Sequence, residues 1–208
     1  MITVYICDKK KINKVFLQEN SLSDFCRQFN EYRTEKINKN YDRNLAIATA
    51  IVEKRALADF CDYDNINIVT QENGKPIVET DRPVRVYYNV SHSGDYAIAV
   101  AMAEEVGIDV QCISKMNEGV MRKIFSNEEI DRVNSAVDKN LEFTRIWAKK
   151  ESYLKYTGDG IFKGMKEQKY KDCHFSEYVF DRYVISVCTR NPQGKIRLLF
   201  CPLYRIPH

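Results

Sequence analysis

The 208-residue chain has little of what staples a small extracellular fold. It holds seven cysteines (Cys7, Cys26, Cys61, Cys112, Cys173, Cys188 and Cys201), an odd number with no Cys-x-x-Cys spacing. It opens Met1-Ile2-Thr3-Val4 without the layout of a signal peptide, so a reducing, cytoplasmic setting is expected. His92, His174 and His208 are its three histidines, too scattered among unpaired cysteines for a structural zinc site. No apolar run reaches membrane length: Tyr96 to Ala103 covers eight residues, against about 20 for a spanning helix. Nor is there a large excess of one charge. With 32 basic and 29 acidic residues the net charge is +3, which argues against nucleic acid without a clustered patch and permits mild attraction to an acidic partner. The five prolines and eight glycines form no linker or low-complexity segment, so any two halves must pack tightly.

What is present is an ordinary globular composition, 44% hydrophobic and 12% aromatic, in a chain long enough for one domain or two small ones. Ile2 to Cys7 alternates as a strand does. Ser21 or Ser23 is placed to cap a short helix carrying Phe25, Cys26 and Phe29, and Asn30 to Asn40 reads as loop. Leu45, Ala48, Ile51, Val52 and Leu57 recur at helical spacing and predict a helix from Tyr41 to Phe60. Strands follow at Ile66–Val69, Val84–Val90, Tyr96–Met102 and Val106–Cys112, with a turn at Glu72-Asn73-Gly74-Lys75-Pro76. Ser126 and Glu129 fit a capping box, and Leu141 to Tyr156 predicts a second long helix that Gly158-Asp159-Gly160 ends. Strands near Phe175–Phe180, Tyr183–Cys188 and Lys195–Phe200 close an α+β pattern that repeats in outline without a repeated residue string.

Two acidic segments stand out. In Val106-Gly107-Ile108-Asp109-Val110-Gln111 a strand sends the apolar side chains to one face and the oxygen ligands of Asp109 and Gln111 to the other. Around Trp147-Ala148-Lys149-Lys150-Glu151-Ser152, Glu151 falls on the apolar stripe of Phe143, Trp147 and Leu154, where a carboxylate needs a partner. Lys155, four residues on, makes an ordinary helical ion pair an equally simple reading. Asn89-Val90-Ser91-His92-Ser93 comes before both segments. A Ser91–His92–Asp95 triad is disfavoured, because neighbouring strand residues point to opposite faces. Gly74-Lys75-Pro76 is not a phosphate-binding Walker loop.

In order and spacing these segments resemble the surfactin-type 4'-phosphopantetheinyl transferases, from about Arg43 to the loop after Gly160. The resemblance implies an α+β fold of two similar α/β halves packed as an intramolecular pseudo-dimer: residues 1–104 for coenzyme A phosphate contacts, and residues 105–208 for the metal and carrier-protein docking. It implies transfer of the phosphopantetheine arm of coenzyme A to a serine of an acyl or peptidyl carrier protein, releasing 3',5'-ADP, with Mg2+. Asp109, Gln111 and Glu151 fall at the metal positions, although Gln111 stands where the family carries an acid. Glu151, Lys155 and His92 are the implied catalytic residues, with Glu151 as base, directly or through water. Arg43, Lys75, Pro76, Ser91, His92 and Lys155 are the implied coenzyme contacts, and Lys36 and Lys39 lie in a segment of further basic contacts.

The resemblance places carrier docking between Gln111 and Phe125, where Ile113, Met116, Val120, Met121 and Ile124 serve equally well as core. Two halves within one chain are compatible with a monomer, and the near-balanced charge and short apolar runs point to no nucleic-acid or membrane partner. The competing reading is a non-catalytic coenzyme A or carrier-protein binding module on the same fold, with Gln111 marking lost metal chemistry. A small nucleotide-binding regulator is a third.

Overall fold

The computed structural model describes residues 1–12, 42–62, 66–70, 75–79, 85–159 and 165–201. The expected helix at Ser21–Phe29, the loop at Asn30–Asn40 with Lys36 and Lys39, the turn residues before Lys75, and Gly160 lie outside the described residues.

Strand β1 (Ile2–Asp8) leads into a one-turn helix, and helix α1 spans Arg43–Ala58. Strands β2 (Asn67–Thr70) and β3 (Pro76–Glu79) form a hairpin, followed by β4 (Tyr87–Ser93), β5 (Tyr96–Met102) and β6 (Val106–Cys112). Helices α2 (Glu118–Ile124), α3 (Asn127–Ser135) and α4 (Lys139–Thr157) come next, then β7 (His174–Phe180), β8 (Tyr183–Thr189) and β9 (Ile196–Phe200). Besides the two-stranded β2-β3 sheet, two larger sheets organise the described elements, one ordered β4-β5-β1-β9 and the other β6-β8-β7. Pairing is antiparallel throughout except for β9, which returns to lie parallel to β1 in register Ile2↔Ile196.

Period-two alternation explains the layering. Val4, Ile6, Ile98 and Val100 pack face to face with Ile108, Val110, Ile185 and Val187 between the sheets. Cys7, Ala97 and Ala99 on the opposite face of the first sheet pack under Ile47, Ile51 and Leu57 of α1. Helix α4 covers the outer face of the second sheet, so the layers run α, β, β, α. No helix among the described residues is long and apolar enough to cross a membrane.

The capping signals are realised. Asp42 accepts from Leu45 N ahead of α1, Ser126 and Glu129 form a complete capping box, Asp138 accepts from Leu141 N, and Gly158 ends α4 at φ +79°. One boundary differs in a way that matters for the site. Strand β4 does not end at Val90 but continues through Ser93, which pairs with Tyr96 across a tight turn where Gly94 adopts φ +56°. Ser91 and His92 are therefore strand residues, not loop residues beyond it. Helix α2 is the other departure: Asn117 caps it, and it buries Met121 and Ile124, in a stretch whose only sequence signal was scattered apolar residues.

Candidate active site

The edge of β6 that faces away from β8 is not paired to another backbone. Side chains close it. Asn89 Oδ1 accepts from Ile108 N at 3.1 Å, Ser91 Oγ from Val110 N at 3.3 Å and Ser93 Oγ from Cys112 N at 3.0 Å. Alternate residues of β4 thus bond alternate amides of β6, a ladder that the two-residue period of both strands makes possible. It satisfies amides that would otherwise be buried without acceptors and joins the two sheets along a seam.

The Ser91 rung also reaches the acidic centre. Its hydroxyl donates to Asp109 Oδ1 at 2.8 Å and accepts from Lys155 Nζ at 2.8 Å, while Lys155 pairs with the same Asp109 oxygen at 2.8 Å. With Val110 N as second donor, the one donor and two acceptor positions of this hydroxyl are all engaged. Gln111 Nε2 donates to the other oxygen, Asp109 Oδ2, at 2.8 Å. Asp109 is buried, and it is held by a hydroxyl, an ammonium and an amide.

Helix α4 supplies the opposite wall. Glu151 and Lys155, four apart, share the face that meets β6. The approach is unusually close because Gly107 lies under the helix: a Cβ there would stand 2.1 Å from Ser152 O and 2.4 Å from Tyr156 N. Ser152 adds a small side chain whose Oγ lies 2.9 Å from Ser186 Oγ of β8. Glu151 is 7% exposed, and its carboxylate makes no hydrogen bond or ion pair among the described residues. Burial raises its pKa above the usual carboxylate range, the charge of Asp109 adds to the rise, and Lys155 opposes it.

Behind this wall, Lys150 fixes the rotation of α4. It is 1% exposed, donates to Met165 O at 2.7 Å and pairs with Glu129 Oε2 at 2.9 Å, the same carboxylate that closes the capping box of α3. Sequence reasoning passed over Lys150. Its signal was a carboxylate at a helix N-terminus with capacity to spare.

The remaining expected residues are spread along the seam. His92 points to the other face of β4 from Ser91, and its electrostatic influence is felt by Asp42 at the start of α1, next to exposed Arg43. A Ser91–His92–Asp95 triad is thereby excluded, while His92 and Arg43 share one end of α1. Lys75 donates to Tyr156 O in the last turn of α4 at 2.8 Å, and burial lowers its pKa. Pro76 opens β3, half-buried. The structure thus brings Ser91, Asp109, Gln111, Glu151 and Lys155 into one centre, with Lys75 at its α4 side and His92 and Arg43 across β4. The Phe125–Glu129 segment is a helix cap and the anchor for Lys150.

Residues 105–198, which carry Asp109, Gln111, Glu151 and Lys155, match the family model described as the 4'-phosphopantetheinyl transferase superfamily. Residues 18–104 match the model described as 4'-phosphopantetheinyl transferase, N-terminal. The chain belongs to the 4'-phosphopantetheinyl transferase family. Among curated relatives of this family it is 28% identical over 159 residues to the 4'-phosphopantetheinyl transferase psf-1 of Bacillus pumilus, covering 66% of this chain and 67% of the relative. It is 25% identical over 187 residues to the 4'-phosphopantetheinyl transferase Sfp of Bacillus subtilis (strain 168), covering 80% of each. It is 31% identical over 136 residues to the L-aminoadipate-semialdehyde dehydrogenase-phosphopantetheinyl transferase of Rattus norvegicus, covering 58% of this chain and 44% of the relative, less than half of that protein.

The centre can be tested against the Mg2+ that the family implies. No cluster of three or more His, Cys, Asp or Glu suited to a metal occurs among the described residues. Two carboxylates are nevertheless a sufficient protein share for Mg2+, which takes one or two together with substrate phosphates and water. The unpartnered, buried Glu151 beside Asp109 is a donor set of the right kind.

Proposed function

We propose that the chain transfers the 4'-phosphopantetheine arm of coenzyme A to a serine hydroxyl of an apo acyl or peptidyl carrier protein and releases 3',5'-ADP. The observation that carries this reading is the centre itself: Asp109 and Ser91 from facing strand edges, with Glu151 and Lys155 from α4, in a chain of this family. Asp109 and Glu151 would hold Mg2+, which would offset pyrophosphate charge and orient the reacting phosphate. Gln111 stands beside them. In the present arrangement its amide nitrogen faces Asp109, so an amide oxygen reaches a cation only if the amide turns over.

The serine oxygen forms a bond to the β-phosphorus as the pyrophosphate bond breaks, leaving 3',5'-ADP. Its proton passes to the Glu151 carboxylate, or to a water held there. Lys155 lies beside Asp109 and offsets phosphate charge. Ser91 positions both groups, and a ligand reaches its hydroxyl only by displacing a present partner. Arg43, His92 and Lys75 with Pro76 bind the coenzyme's phosphates from the α1 and β3 side, an arginine fork being suited to a phosphate. Residues 1–104 and 105–208 serve as coenzyme and metal halves.

Carrier docking is assigned to an open groove of about 250 Å³ beside the centre, lined by Gln111, Lys115, Val120, Phe143 and Trp147 among others. The setting we propose is cytoplasmic, supported by cysteines that are unpaired at every described position, and the working unit is a monomer.

Intact-mass spectrometry of apo carrier proteins incubated with this protein, coenzyme A and Mg2+ tests the assignment. One added phosphopantetheine on the carrier serine, abolished by a chelator, is expected. No addition to any carrier while coenzyme A still binds would establish instead the non-catalytic module.

A further inference from the structure

The carboxylate of Asp109 can be followed lone pair by lone pair, of which it has about four, shared between its two oxygens. Oδ1 accepts from Ser91 Oγ and from Lys155 Nζ, each at 2.8 Å, and is thereby filled. Oδ2 accepts from Gln111 Nε2 at 2.8 Å and, among the described residues, keeps one acceptor position. An ionised carboxylate accepts and does not donate, so its neighbour at 111 has to turn the amide nitrogen toward it. Gln111 is therefore a donor to Asp109, with its own oxygen directed elsewhere.

Exposure divides the same groups. The Asp109 side chain is 3% exposed and that of Lys155 28%. Gln111 is half-buried and lines the open groove beside the centre. Solvent thus meets an ammonium and an amide first, and the carboxylate lies behind them. To a dication this face is unwelcoming, because Lys155 cancels the charge of Asp109 and Gln111 adds none. To a phosphate it is attractive, since an ammonium with open surface is a strong donor.

We propose that Gln111 and Lys155 make entry of a divalent cation conditional on coenzyme A. The inference rests on the transfer reading above. Lys155 closes Asp109 in the arrangement described here; a coenzyme phosphate draws the ammonium toward itself, returns a lone pair to Oδ1 and brings phosphate oxygens of its own to the cation. Gln111 keeps this order. Neutral and turned toward Asp109, it offers no second anchor at which a cation could be held ahead of the coenzyme. It is a positioning residue and not a ligand.

The test uses Mn2+ as the probe, its unbound fraction read by EPR on the full chain with and without saturating coenzyme A. A blank accounts for Mn2+ held by the coenzyme in solution. Wild type is expected to bind Mn2+ about tenfold or more tightly when coenzyme A is present, and by linkage calorimetry should show coenzyme A gaining the same factor from Mn2+. Gln111→Glu adds an anchor and Lys155→Met uncovers Asp109, so each is expected to raise the affinity for Mn2+ alone by about tenfold and to shrink the coupling. Equal affinity of wild type for Mn2+ with and without coenzyme A would overturn the inference and leave the transfer reading standing. So would a folded variant of either kind whose affinity for Mn2+ alone is no higher than wild type. No Mn2+ bound in either condition would sink the place of the cation in that reading, and this inference with it. If one variant does not fold, the other decides.

Discussion

Gly107 lies so close beneath Ser152 that a Cβ at 107 would stand 2.1 Å from the Ser152 carbonyl oxygen. Both partners there are backbone, which cannot swing aside as a side chain can. Gly107→Ala must separate β6 from α4, and with them Asp109 from Glu151 and Lys155. Overpacking of this kind costs about 1–3 kcal/mol or more, so a fall in Tm is expected together with a loss of turnover larger than the loss of folded protein. Thermal unfolding and single-turnover transfer, measured on the same sample, check both.

Glu151→Gln should separate function from stability. Loss of the base is expected to lower turnover by about 10²–10⁴-fold. Stability should move the other way. The folded state raises the pKa of Glu151, so the folded protein holds that proton more tightly than the unfolded chain does. The contribution to stability is present below the ordinary carboxylate pKa and is lost as pH rises through the raised value. At neutral pH, without metal, the glutamine variant should therefore unfold at a higher temperature than wild type, with the advantage vanishing near pH 4. An unchanged or lower Tm at neutral pH would mean that Glu151 has a partner the described residues do not include.

Ser91→Ala removes one rung of the seam. Val110 N loses an acceptor, Asp109 a donor and Lys155 a neighbour. A buried amide left without a bond costs about 1–3 kcal/mol, and chemical denaturation should report a loss in that range. A drop in transfer beyond this, with coenzyme A affinity nearly unchanged, would mark Ser91 as a positioning residue and not a coenzyme contact.

Lys150→Met keeps the volume but strips Met165 O and Glu129 of their buried partner. Removing one member of a buried pair is expensive, and with Glu129 able to reach water the expected loss is about 2–4 kcal/mol. Urea midpoints of Lys150→Met and Lys149→Met, compared side by side, should differ clearly, since only the first ammonium is locked in place.

How far the sequence could be read depended on how local the signal was. Asp109 and Gln111 could be set opposite Ile108 and Val110 because a strand's period decides it, and Gly158 could be placed as a helix end because few other residues accept φ +79°. Glu151 on an apolar stripe announced a buried acid. Lys75 gave no such notice: its partner is the Tyr156 carbonyl, 81 positions away, and a backbone acceptor carries no residue-type signature. The same holds for Gly107, whose meaning lies in the helix that crosses it. The Asn89, Ser91 and Ser93 ladder was visible as a polar alternation, yet it went unread because the strand was ended too early.

The pairing of Ile2 with Ile196 bears on how the chain is made. One edge of β1 stays open until residues 196–200 have left the ribosome, so a sheet begun with β1 is completed only by a strand made much later. Contacts that span so much sequence close slowly, and an open strand edge invites pairing with other chains while it waits. Nascent chains stalled just short of β9 should accordingly be cut rapidly by protease within β1 and β5, and those carrying β9 clear of the exit tunnel should resist.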